Sequence, residues 1–351
     1  MSARELGASF VGLIDLAAKE MGGRAIACSD DFFAGMENLL EPGRGVFLPD
    51  EYTDRGKWMD GWESRRKRGP GHDWCIVELG VRGAIRALDI DTNHFLGNHP
   101  PYASVEAARV EAGASLEVLE KARWTEILPQ SPLRPGSQNL FAIAASEAYT
   151  HLRLRIYPDG GVARLKVWGV ADPDWSRVEV DGETRPLLKA SEVDLASVRN
   201  GALALACSDA FFGPMNNLIA PGRSVNMGGG WETRRKRLPG SDWILVRLGA
   251  PGELGLVEID TNHFKGNYPD RFALRGVRAR EGARITDLVP VGSYETPDAE
   301  WVTIIEETKL SASTRHFYRD ELRARGPFTH LRLDIFPDGG VSRLRAWGTR
   351  T

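Results

Sequence analysis

The residues best suited to chemistry form three polar clusters, and each cluster occurs twice in the chain. The first cluster reads Trp62-Glu63-Ser64-Arg65-Arg66-Lys67-Arg68 and returns at residues 231–237. A guanidinium group presents a planar fork of donors that matches a carboxylate, so Arg65 or Arg68 is suited to bind an acidic ligand. The structural alternative for this cluster is a solvated basic turn that carries no chemistry.

The second cluster reads Asp91-Thr92-Asn93-His94-Phe95, continues with Gly97-Asn98, and returns at residues 260–264. It follows an apolar run directly. Because successive side chains of an extended chain alternate, we expect His94 on the face opposite to Asp91 and Asn93. Such a cluster could form a hydrogen-bonding floor for a small polar ligand, with His94 available for proton transfer near neutral pH. The structural alternative is a polar turn of the Asx type.

The third cluster reads Cys28-Ser29-Asp30 with Phe32-Phe33, and it returns at residues 207–212. We expect the paired phenylalanines in the core, and Asp30 either caps the following turn or lines a pocket. The sequence lacks a phosphate-binding loop, a dinucleotide fingerprint, a nucleophile elbow and zinc-like Cys/His spacing. We therefore expect no cofactor. A divalent cation stays possible, although no ligand motif supports it.

These clusters belong to a duplicated framework. The cluster that begins at Cys28 recurs 179 residues later, and those that begin at Trp62 and Asp91 recur 169 residues later. A period of this length is the size of a domain, so the chain contains two tandem copies of one domain. The change in spacing locates ten extra residues near 47–56 in the first copy, and ten more between 269 and 329 in the second.

Short apolar runs between glycine and proline residues predict β-strands. The segment 150–169 alternates apolar and polar side chains around Pro158-Asp159-Gly160-Gly161, which predicts a hairpin, and it agrees with 329–348 at 15 of 20 positions. The pattern favours an all-β fold of antiparallel sandwich or jelly-roll type. Three stretches have helical periodicity, and we predict a short helix in each: 13–19, 191–198 and 314–323.

Composition excludes several classes of protein. The net charge of −3 over 351 residues makes no strong case for nucleic acid or membrane partners, and no apolar run is long enough to span a bilayer. The first residues lack a signal-peptide core, and three cysteines cannot form a complete set of disulfides. We predict a cytoplasmic protein with domains at 1–171 and 188–351, a connecting segment at 172–187, and a homo-oligomeric state.

Together, the Cys-Ser-Asp-x-Phe-Phe, Trp-Glu-x-Arg-Arg-Lys-Arg and Asp-Thr-Asn-His-Phe-x-Gly-Asn segments and the closing Pro-Asp-Gly-Gly hairpin resemble the allantoicase family. The resemblance covers nearly the whole chain, in both copies. It implies two jelly-roll-like antiparallel β-sandwich repeats of the galactose-binding-like type. It also implies hydrolysis of allantoate, the small-molecule substrate, to ureidoglycolate and urea.

Allantoate carries one carboxylate and two ureido groups on a single carbon, and ureido groups suit Asp, Glu and Asn side chains. We hypothesise that an arginine binds the carboxylate, that acidic and amide side chains hold the ureido arms, and that a histidine or a carboxyl group with a raised pKa transfers the protons. The candidate catalytic residues are His94, Asp91, Glu63, His263, Asp260 and Glu232. The candidate substrate-binding residues are Arg65, Arg68, Asn93, Asp30, Arg234, Arg237, Asn262 and Asp209.

Two other functions remain open at this point. A tandem carbohydrate-binding module would use exposed aromatic platforms, for which Trp62 and Trp231 are the candidates. A nucleic-acid binder would use the two Arg-Arg-Lys-Arg runs and would bind with a steep dependence on salt, although the acidic net charge disfavours it.

Overall fold

The computed structural model describes residues 12–144, 146–176, 179–236, 240–289 and 300–351. The chain divides into two compact units, the first ending at Asp172 and the second beginning at Pro173. Within the described residues, no helix is both long and apolar enough to cross a membrane.

The elements of the first unit follow one another as short strands around one long strand. The strands are β1 (Ile14–Asp15), β2 (Arg24–Cys28), β3 (Tyr52–Thr53), β4 (Gly56–Lys57), β5 (Trp62–Glu63), β6 (Asp73–Asp91), β7 (Tyr102–Ala108), β8 (Thr125–Pro132), β9 (Gln138–Ala142), β10 (Ala148–Tyr157), β11 (Gly161–Val162) and β12 (Arg164–Ala171). The helical segments are α1 (Leu116–Glu120) and the 3₁₀ turns Lys19–Met21 and Met36–Leu40.

The second unit repeats this order. Its strands are β13 (Val193–Asp194), β14 (Leu203–Cys207), β15 (Trp231–Glu232), β16 (Asp242–Asp260), β17 (Arg271–Val277), β18 (Val302–Lys309), β19 (Arg315–Tyr318), β20 (Phe328–Phe336), β21 (Gly340–Val341) and β22 (Arg343–Arg350). Its 3₁₀ turns are Arg185–Leu187, Val198–Asn200, Met215–Ile219, Met227–Gly229 and Ile285–Asp287.

The long strand β6 organises the first sandwich. Its first half pairs with β2 and β10, and its second half pairs with β12 and β9, all antiparallel. The sheet runs β1-β12-β6-β10-β7-β8, and the equivalent strands around β16 repeat this order in the second unit. The predicted all-β fold of two tandem antiparallel sandwich repeats is confirmed. The apolar runs at 74–79 and 85–91 are two halves of one strand.

The three helix predictions are wrong. Segment 13–19 contains β1, segment 191–198 contains β13, and segment 314–323 contains β19. Each of the first two segments is a two-residue strand followed by a 3₁₀ turn, and this combination also spaces apolar residues three or four apart. Pairing with β12, β22 and β16 satisfies the backbone of these segments, so tertiary context overrides the local periodicity.

Phe95, from the second cluster, packs against the glycines at β5 and β11 inside the first sandwich. Its ring is fully buried. A Cβ atom built on Gly161 would lie 2.0 Å from Phe95 Cδ1, and one built on Gly61 would lie 2.9 Å from Phe95 Cε2. The ring therefore fills the space that two glycines leave open, next to β5 and β11. Phe264 occupies the equivalent place against Gly340 in the second sandwich.

We expect Gly161→Ala to lower the free energy of unfolding of the first unit by about 3 kcal/mol, because a methyl group there must displace a buried ring in a packed core. Thermal or guanidinium denaturation measures the effect. Gly97→Ala is the matched control, since a Cβ atom at Gly97 meets open space. Equal stability of the two variants would contradict this packing argument.

Candidate functional site

Strand β5 ends at Glu63, and the exposed Arg65 follows two residues later. The strand pairs with β11, so the Trp-Glu segment lies beside the closing Pro-Asp-Gly-Gly hairpin. Trp62 is fully buried, and its Nε1 donates to the carbonyl of Asp30 over 2.8 Å. Because side chains alternate along an extended chain, Glu63 points the other way. Trp231 is buried in the same manner, so neither tryptophan forms the exposed platform that a carbohydrate-binding module needs.

Arg65 is held by Asp30. The Nε atom of Arg65 donates to Asp30 Oδ2 over 2.7 Å, and the backbone N–H of Arg65 donates to Oδ1 over 2.9 Å. Burial acts to raise the pKa of Asp30, but these bonds hold it below its usual value. The Arg65 side chain is 63% exposed, so solvent and a second carboxylate have access to it. Arg234 and Asp209 repeat the arrangement in the second unit.

Glu63 is bonded to Asn98, which belongs to the second cluster but was not among the candidate site residues. Asn98 Nδ2 donates to Glu63 Oε1 over 2.7 Å, and Asn267 bonds Glu232 in the same way. Burial raises the pKa of Glu63, and the bond from Asn98 offsets only part of this effect. The signal for Asn98 was available, because Gly-Asn follows both copies of the Asp-Thr-Asn-His cluster at the same distance.

Asp91 is a buried carboxylate paired with a second residue that the sequence reasoning missed. Arg44 donates to both of its oxygens, from Nε over 2.7 Å and from Nη2 over 2.9 Å. The backbone N–H of Asn93 also donates to Asp91 Oδ1. Arg223 pairs with Asp260 in the second unit. Both carboxylates are therefore engaged by protein donors, and they fix the end of the long strand.

His94 does not lie on the face opposite to Asn93, contrary to expectation. Its φ of 66° is left-handed, so the chain turns and both side chains reach the same carbonyl. Asn93 Nδ2 donates to Gly45 O over 2.8 Å, and His94 Nε2 lies 3.1 Å from that oxygen. A carbonyl only accepts, so Nε2 is the donor in this contact. Asn262 and His263 meet Ser224 O in the same way.

The paired phenylalanines are exposed, so their predicted core position is wrong. Phe32 and Phe33 are 37% and 36% exposed, and Phe211 and Phe212 are 64% and 61% exposed. Each pair packs edge to face, with ring centroids 5.1 Å and 4.8 Å apart. Asp30 and Asp209 accept a bond from the N–H two residues later, which turns the chain outward and carries the rings away from the core.

The basic run of the first cluster has divided roles. Lys67 Nζ donates to the buried Asp73 over 2.5 Å, and the backbone N–H of Lys67 donates to Asp159. Arg68 lies exposed at the surface. Its counterpart Arg237 lies outside the described residues. Of the two arginines proposed to bind a carboxylate in the first copy, Arg65 is the one that the structure holds in place.

Position 89 and its counterpart differ in a way that affects stability. Asp89 is buried, and Gln138 Nε2 donates to its Oδ2 over 2.7 Å. Its other oxygen, Oδ1, has no hydrogen-bond partner among the residues that the structure describes. Burial raises the pKa of Asp89 to about 6, although Gln138 acts to lower it. In the second unit the equivalent Glu258 accepts a bond from Arg315 over 2.7 Å.

We expect Asp89→Asn to stabilise the protein at pH 8 by about 1–3 kcal/mol. A carboxyl group whose pKa is raised from about 4 to about 6 contributes most to stability below pH 4, and this contribution is lost as the pH rises through 6. The variant should therefore lack the decline in stability between pH 4 and 6. Glu258→Gln is the comparison, and we expect it to destabilise because it unpairs part of Arg315. Denaturation curves across this pH range measure both, and a decline that persists in Asp89→Asn would contradict the assignment.

The structure joins the predicted residues into pairs at one surface of each repeat. Arg65 meets Asp30, Glu63 meets Asn98, and Asn93 and His94 meet at one carbonyl. His94 contacts Gly45 and Phe47 rather than Glu63. A cavity of about 410 Å³ beside Glu192 and Arg319 in the second unit contains none of the predicted site residues. Among the described residues, no group of three His, Cys, Asp or Glu side chains is placed to hold a metal ion.

Each unit is an antiparallel sandwich that carries the same set of polar pairs, so the chain is a tandem-repeat protein with one candidate site per repeat. The family model of the allantoicase repeat matches residues 14–172 and 193–351. The chain belongs to the allantoicase family.

Its relatives match over nearly their full length. Probable allantoicase 1 of Burkholderia mallei is 48% identical over 336 residues, which cover 96% of this chain and 94% of that protein. A probable allantoicase of Pseudomonas syringae pv. syringae is 45% identical, covering 97% of each chain. The crystal structure of allantoicase from Saccharomyces cerevisiae aligns with a TM-score of 0.79 at 32% identity, over 99% of this chain and 98% of that one.

Proposed function

We propose that this protein hydrolyses allantoate to ureidoglycolate and urea. The main support for the proposal is that each repeat of this allantoicase-family chain contains the same two pairs, one Arg-Asp and one Glu-Asn. Water supplies a hydroxyl group to the central carbon and a proton to the departing nitrogen. The bond broken joins the central carbon to one ureido nitrogen.

The outer edge of Arg65 binds the substrate carboxylate. Asp30 occupies the inner edge and fixes the plane of the guanidinium, so the group presents its remaining donors in a defined direction. Asn93, His94 and Asn98 offer amide and imidazole groups for the ureido arms. A ureido group both donates and accepts, which matches side chains of these types.

Glu63 carries the proton transfer. It lies two residues before Arg65, and burial raises the pKa of Glu63 above its ordinary value. As a carboxylate it takes a proton from the attacking water, and as an acid it gives a proton to the departing urea nitrogen. Protonation is needed because an amide-like nitrogen is a poor leaving group.

The direct test is urea release from allantoate by the purified protein, with titration of galactose and other simple sugars in parallel. We expect urea and ureidoglycolate in equal amounts and no sugar binding. Sugar binding without urea release would replace the proposal with a binding module.

We propose further that the reaction needs no bound metal. The carboxylates of the clusters are engaged by arginine or amide donors, as in Asp91 with Arg44 and Glu63 with Asn98. We expect turnover to survive prolonged treatment with a chelator. Loss of turnover that added Mn²⁺ or Mg²⁺ restores would overturn this part of the proposal.

For the two histidines, we expect the double variant His94→Ala/His263→Ala to release urea about 2- to 10-fold more slowly, the effect of losing a neutral hydrogen bond to the substrate. The single variants separate the two repeats. Circular dichroism confirms the fold. Loss of about a thousandfold or more would instead make histidine the proton-transfer group.

We also propose that the protein is a cytoplasmic homo-oligomer. Support for association comes from exposed apolar side chains of the second unit, including Phe211 and the 87% exposed Val225. Cys28, Cys75 and Cys207 are free thiols, which agrees with a reducing compartment. Light scattering after size exclusion tests the oligomeric state.

A further inference from the structure

The ten residues that distinguish the first repeat form a structured hairpin beside its candidate site. Strands β3 and β4 pair Tyr52 with Lys57. The ammonium group of Lys57 lies 4.5 Å from the centroid of the Tyr52 ring and 5.1 Å from that of Phe47, and it donates to the carbonyl of Pro49. We call the ten inserted residues together with Lys57, residues 47–57, the insertion hairpin. Its own cation–π and hydrogen-bond contacts hold its shape.

The insertion hairpin touches the candidate site at two points. At one end, the Phe47 ring stacks on His94, with centroids 5.6 Å apart and planes at 28°. At the other end, Arg55 Nη1 donates to the carbonyl of Phe32 over 3.1 Å, and its guanidinium lies 5.2 Å from the Phe32 ring. Arg65 lies 5.1 Å from that same ring. The hairpin therefore connects the His94 part of the site to the Arg65 part.

The second repeat has no such element. Val225, which corresponds to Val46, is followed directly by the counterpart of Lys57, Asn226. Phe211 and Phe212 are 64% and 61% exposed, whereas the equivalent rings of the first repeat are 37% and 36% exposed. The aromatic pair beside the arginine is thus more covered in the first repeat, whereas the arginines themselves are equally accessible, Arg65 being 63% exposed and Arg234 65%. The hairpin therefore adds side chains beside the polar pairs and does not bury them.

This difference matters for a small charged ligand. A second cation near a carboxylate site adds attraction for an acidic ligand. An aromatic face also packs against a planar ureido group and displaces water from it. A site with both additions therefore holds the substrate more tightly and in fewer orientations than one without them.

We propose that the repeats are not equivalent and that the insertion hairpin completes the productive site, in the first repeat, with Phe47 and Arg55 contacting the ureido acid. Arg55 supplies a second cation near the carboxylate site of Arg65, and Phe47 covers the ureido arm beside His94. This proposal rests on the proposed hydrolysis of allantoate.

The test is excision of residues 47–56, which joins Val46 to Lys57 and reproduces the natural connection of the second repeat. We expect kcat/KM for allantoate to fall at least tenfold, mainly through KM, while the thermal unfolding transition is kept. Phe47→Ala and Arg55→Ala should each raise KM several-fold. Val225→Ala is the control at the matching loop of the second repeat, and it should leave both constants within twofold of the parent protein.

The outcomes distinguish failure of the proposed hydrolysis from failure of the hairpin proposal. Parent protein that releases no urea removes the proposed hydrolysis and this inference together. Active parent protein with an excised variant whose kcat/KM stays within twofold overturns the hairpin proposal and leaves the hydrolysis standing. If the excised protein does not fold, Phe47→Ala and Arg55→Ala decide the question, and unchanged KM in both overturns the proposal.

Discussion

The double variant Glu63→Gln/Glu232→Gln is expected to release urea with a kcat about 10²- to 10⁴-fold lower than that of the parent protein, the usual contribution of a positioned acid or base. Glutamine has nearly the shape of glutamate and still accepts the bond from Asn98, but it cannot exchange a proton. KM should change little, because the arginine that binds the carboxylate is untouched. A continuous assay of urea release measures both constants.

The single variants assign the loss to a repeat. We expect Glu63→Gln to account for most of it and Glu232→Gln for a smaller part, since only the first repeat has the insertion hairpin with Phe47 and Arg55 beside its site. Comparable losses of kcat in the two single variants would mean that both repeats catalyse the reaction to a similar extent. Full activity in the double variant would exclude glutamate from the reaction.

The pH profile provides an independent readout of the same residue. Burial raises the pKa of Glu63 above the ordinary value for glutamate of about 4.3. A general base must be deprotonated, so kcat/KM should fall as the pH drops through this raised pKa. The acidic limb of the profile should therefore lie above the usual range for glutamate, and it should vanish in Glu63→Gln.

Replacement of Arg65 by lysine should lower kcat/KM for allantoate by about 10- to 100-fold, mostly through KM. Lysine keeps the charge but loses the planar fork, and a charge-assisted pair of hydrogen bonds is worth about 1.5–3 kcal/mol. Lysine also cannot satisfy Asp30 and a substrate carboxylate at the same time. Steady-state kinetics with allantoate tests this.

Arg234→Lys is the matched control in the second repeat, where Asp209 holds the arginine in the same way. We expect Arg234→Lys to lower kcat/KM less than Arg65→Lys does, because the second repeat lacks the insertion hairpin. If Arg65→Lys leaves KM unchanged, the carboxylate binds elsewhere, and the exposed Arg68 becomes the next candidate.

The duplicated framework and the β-sandwich could be predicted from the sequence, because strand alternation and turn residues are local signals. The Arg65 and Glu63 pair could be proposed as well, because their cluster recurs intact. Arg44 recurs too, in Pro42-Gly43-Arg44 and Pro221-Gly222-Arg223, but recurrence does not identify the residue that it pairs with. Arg44 lies 47 positions before Asp91 along the chain, and nothing in the local pattern indicates that the two meet.

The wrong side-chain predictions concern residues whose local sequence pattern is compatible with two different directions of the side chain. Paired phenylalanines usually indicate a core, but the turn at Asp30 directs Phe32 and Phe33 outward. His94 was placed by strand alternation, which ends where φ becomes positive. In both cases a single backbone turn decides the direction of the side chain, and such a turn is not encoded by hydrophobic periodicity.

Arg315 contributes one further consequence. Its guanidinium bonds Glu258 within the second sandwich and also Asp181, Glu183 and Thr184, which precede that sandwich in the chain. Those upstream residues neutralise a cation that is largely removed from water. A gene fragment meant to yield the C-terminal half alone should therefore start before Asp181. A fragment that starts at Val193 lacks two of the carboxylates that pair with Arg315, and we expect it to misfold more readily.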